Sequence, residues 1–561
     1  MIRRTITLLA FFALLTAGCA TRDSGPETFT LTVVGSNDVH GELAARDGPG
    51  GLETFSGLVN VLREARSRDG GELLLIDAGD MWQGTLASNL NEGRATVAAF
   101  NAIGYDAAAI GNHEFDFGPI GEQAIPESPQ DDPRGALKER AREAEFPLLA
   151  ANLYRKASGE RWAADNVMPS IMLRRSGIDI GVIGVMTRRA LEATIAANVM
   201  DLVVEPLVPA IEAEARKLRD RGADLVIVAS HAGGRCQSFD DPDDLSSCRA
   251  ESEIFQVARA LPPGLVDQII AGHDHQGLAH RVNGIVITSA FSNTRAFDRV
   301  DYRIERASGK ILSQKIFPPQ PIVPGEPYEG EPVTPDPAVV AIARRATADA
   351  EALKNRLIGV RLTKEFGLRG SPDSALGNLF TQAIYDSIDV DIALQNIVGG
   401  LRQPLPAGEL TYGDLFMTFP FDNRLVLFDI TGRELRRVLA SEARRGARTA
   451  GIAGVTAEIE CQDDVLSVRI THRDGWIIED DDTLSVGTSD YLALGGANVL
   501  TAIIPEGGFP IDTSLPLIRD ILIDWLAKQP SALDPATFTT REQQNWFRPE
   551  SLPASCVLSE P

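Results

Sequence analysis

Short apolar runs alternate, along the first half of the chain, with longer stretches whose apolar residues recur at helical spacing. The runs cover residues 30–36, 73–76, 107–110, 178–185, 225–229, 268–270 and 285–288. They are apolar at successive positions, which predicts strands buried on both faces, as in a parallel sheet. Helical segments, such as 208–221, lie between them. The alternation predicts an α/β architecture with an at least partly parallel sheet. Residues 123–145 are polar and rich in Pro, Glu and Arg, and predict a surface excursion.

A second unit follows a break. Residues 317–337 have the Pro, Gly and Glu content of a linker. Asp336 and Pro337 then supply a cap and a first-turn proline for a connecting helix over 338–356. Beyond it, helices are predicted over 374–388 and 432–443, and strands over 392–393, 425–430, 465–470 and 484–488. The Pro-rich chain after Gln529 predicts irregular structure. The boundaries expected are 27–316 for the first domain, 317–357 for linker and helix, 358–548 for the second domain and 549–561 for a tail.

Length and charge narrow the function. The chain has 561 residues, 44% of them hydrophobic, and a formal net charge of −24. Such a balance argues against a nucleic-acid polymer or an anionic membrane bound through a basic face. It permits a small anionic substrate, because metals or a few Arg can invert the local field. Arg3 and Arg4 precede an apolar run ending at Ala17-Gly18-Cys19. The run is shorter than the ~20 residues of a membrane span and predicts an export signal over residues 1–19. Cys19 in that setting resembles the acylated cysteine of a bacterial lipoprotein, with ordinary cleavage after Ala20 as the rival, so the expected place is the periplasm or cell envelope, with a lipid anchor as the sole membrane contact. Four Cys remain, with three possible connectivities. Cys236 with Cys248 would close a small acidic loop, and Cys461 with Cys556 would tie the tail to the second domain.

Polar residues gather where the apolar runs end. The run to Ser36 is followed by Asn37-Asp38-Val39-His40-Gly41, the second by Asp77-Ala78-Gly79-Asp80, and the third by Gly111-Asn112-His113-Glu114-Phe115-Asp116. The fifth ends in Ser230-His231-Ala232-Gly233 and the sixth in Gly272-His273-Asp274-His275. Five of the chain's seven His lie at these ends. Open α/β folds place their sites beyond the carboxyl ends of strands. His, carboxylate and amide together suit paired divalent cations such as zinc or manganese. Asp38 and His40, two apart in a segment read as extended, are expected to point to one side and grip one cation.

Taken in this order the motifs resemble those of calcineurin-type metallophosphoesterases, and more narrowly the exported 5′-nucleotidase family. The resemblance implies a four-layer α/β/β/α first domain and a smaller mixed α/β substrate domain. It implies that Asp38, His40, Asp80 and His275 hold one metal and that Asp80, Asn112, His231 and His273 hold the other. His113, oriented by Asp116, would stabilise the transition state or protonate the leaving group, while the cations activate the attacking water. Glu114 and Asp274 are left outside the ligand set. In the second domain, Gln395-Asn396-Ile397-Val398-Gly399-Gly400-Leu401-Arg402 resembles the family's phosphate loop, so Asn396, Gly400 and Arg402 are expected at the phosphate, with Arg369 as a second clamp. Phe421 and Asn423, in Phe419-Pro420-Phe421-Asp422-Asn423, and Tyr491, in Ser489-Asp490-Tyr491, resemble the loops that sandwich a nucleobase. After Gly495-Gly496 the family has an Asp that holds ribose hydroxyls; here Ala497 and Asn498 follow. The expected activity is release of phosphate from nucleoside 5′-monophosphates or related esters by a monomer or dimer. Cyclic-nucleotide, nucleotide-sugar and thiosulfohydrolase-like hydrolysis stay open as alternatives.

Overall fold

The computed structural model describes residues 27–45, 48–121, 123–368, 374–445, 450–505, 508–530, 532–540, 545–547, 549, 552–553 and 555–558. The segment 1–19 with Cys19, and Arg369, lie outside the described residues.

The predicted strands form the centre of the first lobe. They are β1 (Thr28–Ser36), β2 (Glu72–Asp77), β3 (Ala107–Ala109), β4 (Ile178–Met186), β5 (Leu225–His231) and β6 (Gln268–Ala271). One sheet runs β1-β2-β3 in parallel, and Ala296–Glu305 pairs antiparallel on the far side of β1. The other runs β4-β5-β6 in parallel, followed by Ile285–Ala290. Period-2 alternation then sorts each strand between two layers. Leu74 and Ile76 of β2 pack against Ile180, Val182, Ile227 and Ala229 of the facing sheet. Leu73 and Leu75 pack instead beneath the helices Leu52–Asp69 and Arg94–Ile103. Val226 and Val228 of β5 face the helices Leu207–Asp220 and Glu253–Ala260. The result is a helix/sheet/sheet/helix stack of four layers.

Three expectations are corrected. Residues 123–145 are not wholly a surface excursion: the helix Gly135–Glu143 buries Ala136, Leu137, Arg140 and Ala141. Arg140 is sequestered because its guanidinium donates to Asn91 O (2.9 Å) and Glu143 Oε1 (2.9 Å). The 317–337 linker begins inside the first lobe, where Gln320–Pro321 pairs with Ala296–Glu305 and Ile322 is buried. The chain after Gln529 is stitched down: Ala532–Leu533 pairs with Leu357–Leu362, and Trp546–Phe547 pairs with Val455–Gln462.

The connecting helix Pro337–Lys354 is capped by Asp336, whose Oδ1 accepts from Ala338 N (2.8 Å). Val339, Ala343 and Ala346 pack into the first lobe. Ala350 packs against Tyr412 and Phe416 of the second. That lobe centres on a sheet of Leu425–Thr431, Thr483–Ser489, Ile392–Asn396 and Ala450–Ala453, with the helices Ala375–Ser387 and Gly432–Arg444 against it. Disulfides join Cys236 to Cys248 and Cys461 to Cys556. Among the described residues no helix is long and apolar enough to cross a membrane.

The two sheets meet closely at Gly184, where an added Cβ would sit 2.2 Å from Leu149 Cβ and 2.4 Å from Leu149 O. Gly184→Ala is expected to destabilise the first lobe by about 1–3 kcal/mol through overpacking. Denaturant unfolding reads this directly, and a variant as stable as the wild type contradicts the described packing.

Candidate metal centre

The loops beyond β1 and β2 continue to pair after the strands end. Ala78 N donates to Ser36 O (2.8 Å), Asp38 N to Gly79 O (2.9 Å), His40 N to Asp80 O (3.0 Å) and Gly41 N to Met81 O (2.9 Å). The backbone is left-handed at Asp38 (φ 50°), His40 (φ 53°), Asp80 (φ 60°), His273 (φ 75°) and His275 (φ 55°). Non-glycine residues so held cost of order 1–3 kcal/mol each and persist only where their surroundings over-determine them. The expectation that Asp38 and His40 share a side through an extended segment is therefore overturned. Left-handed bends aim them at a common point.

Two donor groups result. Asp38, His40 and His275 form one: His40 Nε2 lies 3.0 Å from His275 Nε2, which lies 3.4 Å from Asp38 Oδ1. Asp80, His231 and His273 form the other: His231 Nε2 is 3.1 Å from Asp80 Oδ2 and 3.3 Å from His273 Nδ1. Asn112 Oδ1 joins the second group at 3.0 Å from His231 and 3.1 Å from His273. Asp80 also clusters with His40 and His113, so it stands between the two groups.

Hydrogen bonds on the far side of each ring set the tautomers. His40 Nδ1 donates to Gln83 O (2.8 Å) and His231 Nδ1 to Ala78 O (2.9 Å). Each Nε2 lone pair then points inward. At His231 the Nε2 position faces an amide oxygen and the Asp80 carboxylate, both acceptors, so a proton or a cation is needed there to satisfy them. Nitrogen, carboxylate and amide donors in two adjoining groups fit a pair of divalent cations.

The local field favours neutral rings at His40 and His273 and a proton, displaceable by a cation, at His231. Burial, followed by neighbouring His275, pushes His40 down to about 3; burial, followed by His231, does the same to His273. Both are thus held in the neutral form that can ligate. Burial opposes charge on His231 as well, yet Asp80 beside it pushes the imidazole up to about 10. Burial also opposes ionisation of Asp38, yet His275 holds it down to about 2.

Glu114 and Asp274 stay outside both groups. The Glu114 carboxylate accepts from Asp80 N (3.0 Å), Met81 N (2.8 Å) and Gly111 N (2.6 Å), tying together the loops after β2 and β3. Asp274 lies 4.0 Å from Arg189.

His113 begins a short turn, His113–Phe115, that carries it over the site. Its Nδ1 is 2.5 Å from Asp116 Oδ2, and its backbone N–H donates to Asp80 Oδ1 (2.9 Å). Burial works against a charge on this ring, but Asp116 and Asp80 raise its pKa above the ordinary value.

The second lobe faces these groups across a cavity of about 370 Å³. Asp80, Asn112, His113 and Asp116 line one wall, and Asn396, Arg402, Phe421, Asn423 and Tyr491 line the other. Arg402 Nη2 comes within 3.2 Å of His113 Nε2, and its guanidinium lies 5.3 Å from the Phe421 ring centre. Phe421 also stacks on His113 at 6.1 Å. Gly400 has to be glycine, since a Cβ there would sit 2.2 Å from Asn396 O. Asn423 donates to Asp490 Oδ1 (3.1 Å) and so braces the loop of Tyr491. Ala497 lines the cavity, whereas Asn498 turns its amide to Glu192. Sequence reasoning missed Ala193, Thr194 and Ile195, which also line the cavity. Their segment has no His and no glycine pair to mark it.

Known proteins carry the same arrangement of domains. The family model for calcineurin-like phosphoesterases matches residues 31–277, and that for the 5′-nucleotidase C-terminal domain matches residues 357–503. The chain is 27% identical over 526 residues to the protein UshA of Yersinia enterocolitica, covering 88% of this chain and 90% of that one. It is 26% identical over 522 residues to a 5′-nucleotidase of Vibrio parahaemolyticus, covering 84% and 86%. Its fold is similar to the crystal structure of a 5′-nucleotidase precursor from Thermus thermophilus, with a TM-score of 0.70 and 20% identity over 93% of this chain and 100% of that one.

Glu114→Ala leaves three backbone donors without their acceptor, so the variant is expected to lose most of its bound metal although Glu114 supplies no ligand atom. Elemental analysis after equilibration against limiting zinc or manganese measures this. Metal content equal to wild type contradicts the bracing role.

Proposed function

Since the chain belongs to the family that joins a calcineurin-like phosphoesterase domain to a 5′-nucleotidase C-terminal domain, we propose that it hydrolyses nucleoside 5′-monophosphates and releases phosphate. The observation that carries this reading is the meeting of His113, braced by Asp116, with Arg402 of the opposite lobe directly above the two donor groups.

Asp38, His40, Asp80 and His275 would hold one cation, and Asp80, Asn112, His231 and His273 would hold the other. Paired divalent cations, when bound, act as Lewis acids and lower the pKa of the attacking water. Arg402 binds a phosphate oxygen through charge-assisted hydrogen bonds, and Asn396 shapes the loop that presents it. His113 donates its Nε2 proton to the leaving ribose oxygen, while Asp116 keeps Nδ1 protonated and the ring aimed. Phe421 and Tyr491 offer flat faces to a base of any identity.

The same reading takes 27–316 as the catalytic domain and 358–548 as the substrate domain. It puts the enzyme in the cell envelope with a lipid on Cys19. The leader-like segment ending at Cys19 and the two disulfides support that placement, because disulfides persist in oxidising compartments.

Product analysis with AMP, a cyclic nucleotide, a UDP-sugar and an aryl phosphate, each with manganese and with zinc, tests the assignment: AMP and the aryl phosphate release phosphate, the cyclic nucleotide a monophosphate and the UDP-sugar UMP. AMP is expected to give the highest kcat/KM; a cyclic nucleotide turned over with AMP untouched overturns it. His113→Ala is expected to lower kcat by about 10²–10⁴-fold while leaving metal content unchanged. Cys19→Ser is expected to move the enzyme from the membrane fraction to the soluble fraction, and an unchanged distribution rules out the anchor.

A further inference from the structure

The segment that sequence reasoning overlooked touches the Tyr491 loop, Asn112 and Asp116 in succession. Glu192 O accepts from Tyr491 Oη (3.2 Å), and a Glu192 carboxylate oxygen accepts from Asn498 Nδ2 (3.2 Å). The next residue, Ala193, presents its carbonyl to Asn112 Nδ2 (3.0 Å). Thr194 follows, buried, and its Oγ1 donates to Asp116 Oδ1 (2.7 Å). Further on, Asn198 donates to Phe115 O and Ala124 O, both at 2.8 Å, and clamps the segment to the turn that carries His113.

We propose that residues 192–194 form a strap coupling the base pocket to the His113–Asp116 pair, and that Thr194 is a positioning residue for that pair. The proposal rests on the nucleotidase reading above. A carboxylate bonded through one oxygen can still turn about its Cβ–Cγ bond. Thr194 occupies the second oxygen of Asp116 while His113 occupies the first, so one rotamer is left. The strap is short and its backbone is restrained, with Ala193 N donating to Ala190 O (3.0 Å). Any shift of Tyr491 that moves the Glu192 carbonyl also moves the Ala193 carbonyl on Asn112 and the Thr194 hydroxyl on Asp116. A base seated against Tyr491 therefore completes the wall that holds the proton donor in line.

Two substrates with different leaving groups separate this role from a general loss of structure. A ribose alkoxide needs a proton to depart, whereas a nitrophenolate does not. Thr194→Val, which keeps the side chain's shape and removes the donor, is expected to lower kcat on AMP by about tenfold to a hundredfold, the worth of one hydrogen bond to a charged group. KM and metal content stay near wild type. The loss on p-nitrophenyl phosphate is expected to be several-fold smaller, and Thr194→Ser restores most of the AMP activity. Equal losses on the two substrates, or no loss on AMP, overturn the positioning role. Asn498→Ala combined with Thr194→Val tests the coupling: a combined loss of kcat on AMP smaller than the product of the single losses supports the strap, and a combined loss equal to that product overturns it. Wild-type enzyme inert toward AMP refutes the functional reading itself, whereas wild-type turnover matched by Thr194→Val refutes only the strap.

Discussion

Everything in this molecule is arranged around the convergence of metal-ligating groups on two adjoining points. Imidazole nitrogens, carboxylates and an amide oxygen approach within about 3 Å of one another at the carboxyl edge of two sheets. The burial of Asp38, Asp80 and His231 strips these groups of water, which is costly unless each finds a charged partner or a cation. The loops that create it are strained as well, with left-handed backbone at five of the proposed ligand positions. Opposing terms of this size are tolerable only when the surrounding structure is stiff and when a cation returns more than the cluster costs. Stiffness is visible in the continued backbone pairing beyond β1 and β2 and in Glu114, which draws three amides from two loops onto one carboxylate.

The four-layer stack supplies the rest of that stiffness. Strands buried on both faces cannot slide without moving the helices above and the facing sheet below. Gly184 pressed against Leu149 shows how little space separates the sheets. The proposed metal ligands follow strands of both sheets, β1, β2 and β3 in one, β5 and β6 in the other. The apolar interlayer therefore sets the spacing between donor groups, and the site inherits its geometry from core packing.

The sequence disclosed these parts unequally, for physical reasons. The parallel strands were readable because full burial writes itself as continuous apolar runs. The site was readable because His is scarce and five of the seven lie just past those runs. The strand Ala296–Glu305 was hidden because it carries Asp298, Arg299, Asp301 and Arg303, whose pairing is a tertiary fact: Arg299 is buried only because Asp301 and Glu329 receive its guanidinium. The helix Gly135–Glu143 was hidden by the same error, an arginine read as solvent-facing. Asp38 and His40 were predicted to meet for the wrong reason, since local propensity does not foresee left-handed bends imposed by neighbouring loops. The segment 192–194 was illegible because two of its contacts run through backbone carbonyls, which any residue possesses.

The division of labour between the lobes follows from what lies at each end of their contact. Near the connecting helix the contact is apolar, with Ala350, Leu86, Tyr412 and Phe416 packed together. At the cleft it is polar and sparse: Gln83 donates to Pro420 O (3.0 Å), Tyr491 to Glu192 O (3.2 Å), and Arg424 stands 3.7 Å from Glu127. Each such contact exchanges readily for water and contributes about 1 kcal/mol or less. The residues proposed to contact the base lie on one lobe and the proposed metal ligands on the other. A substrate that bridges them adds the attraction that these sparse polar contacts lack.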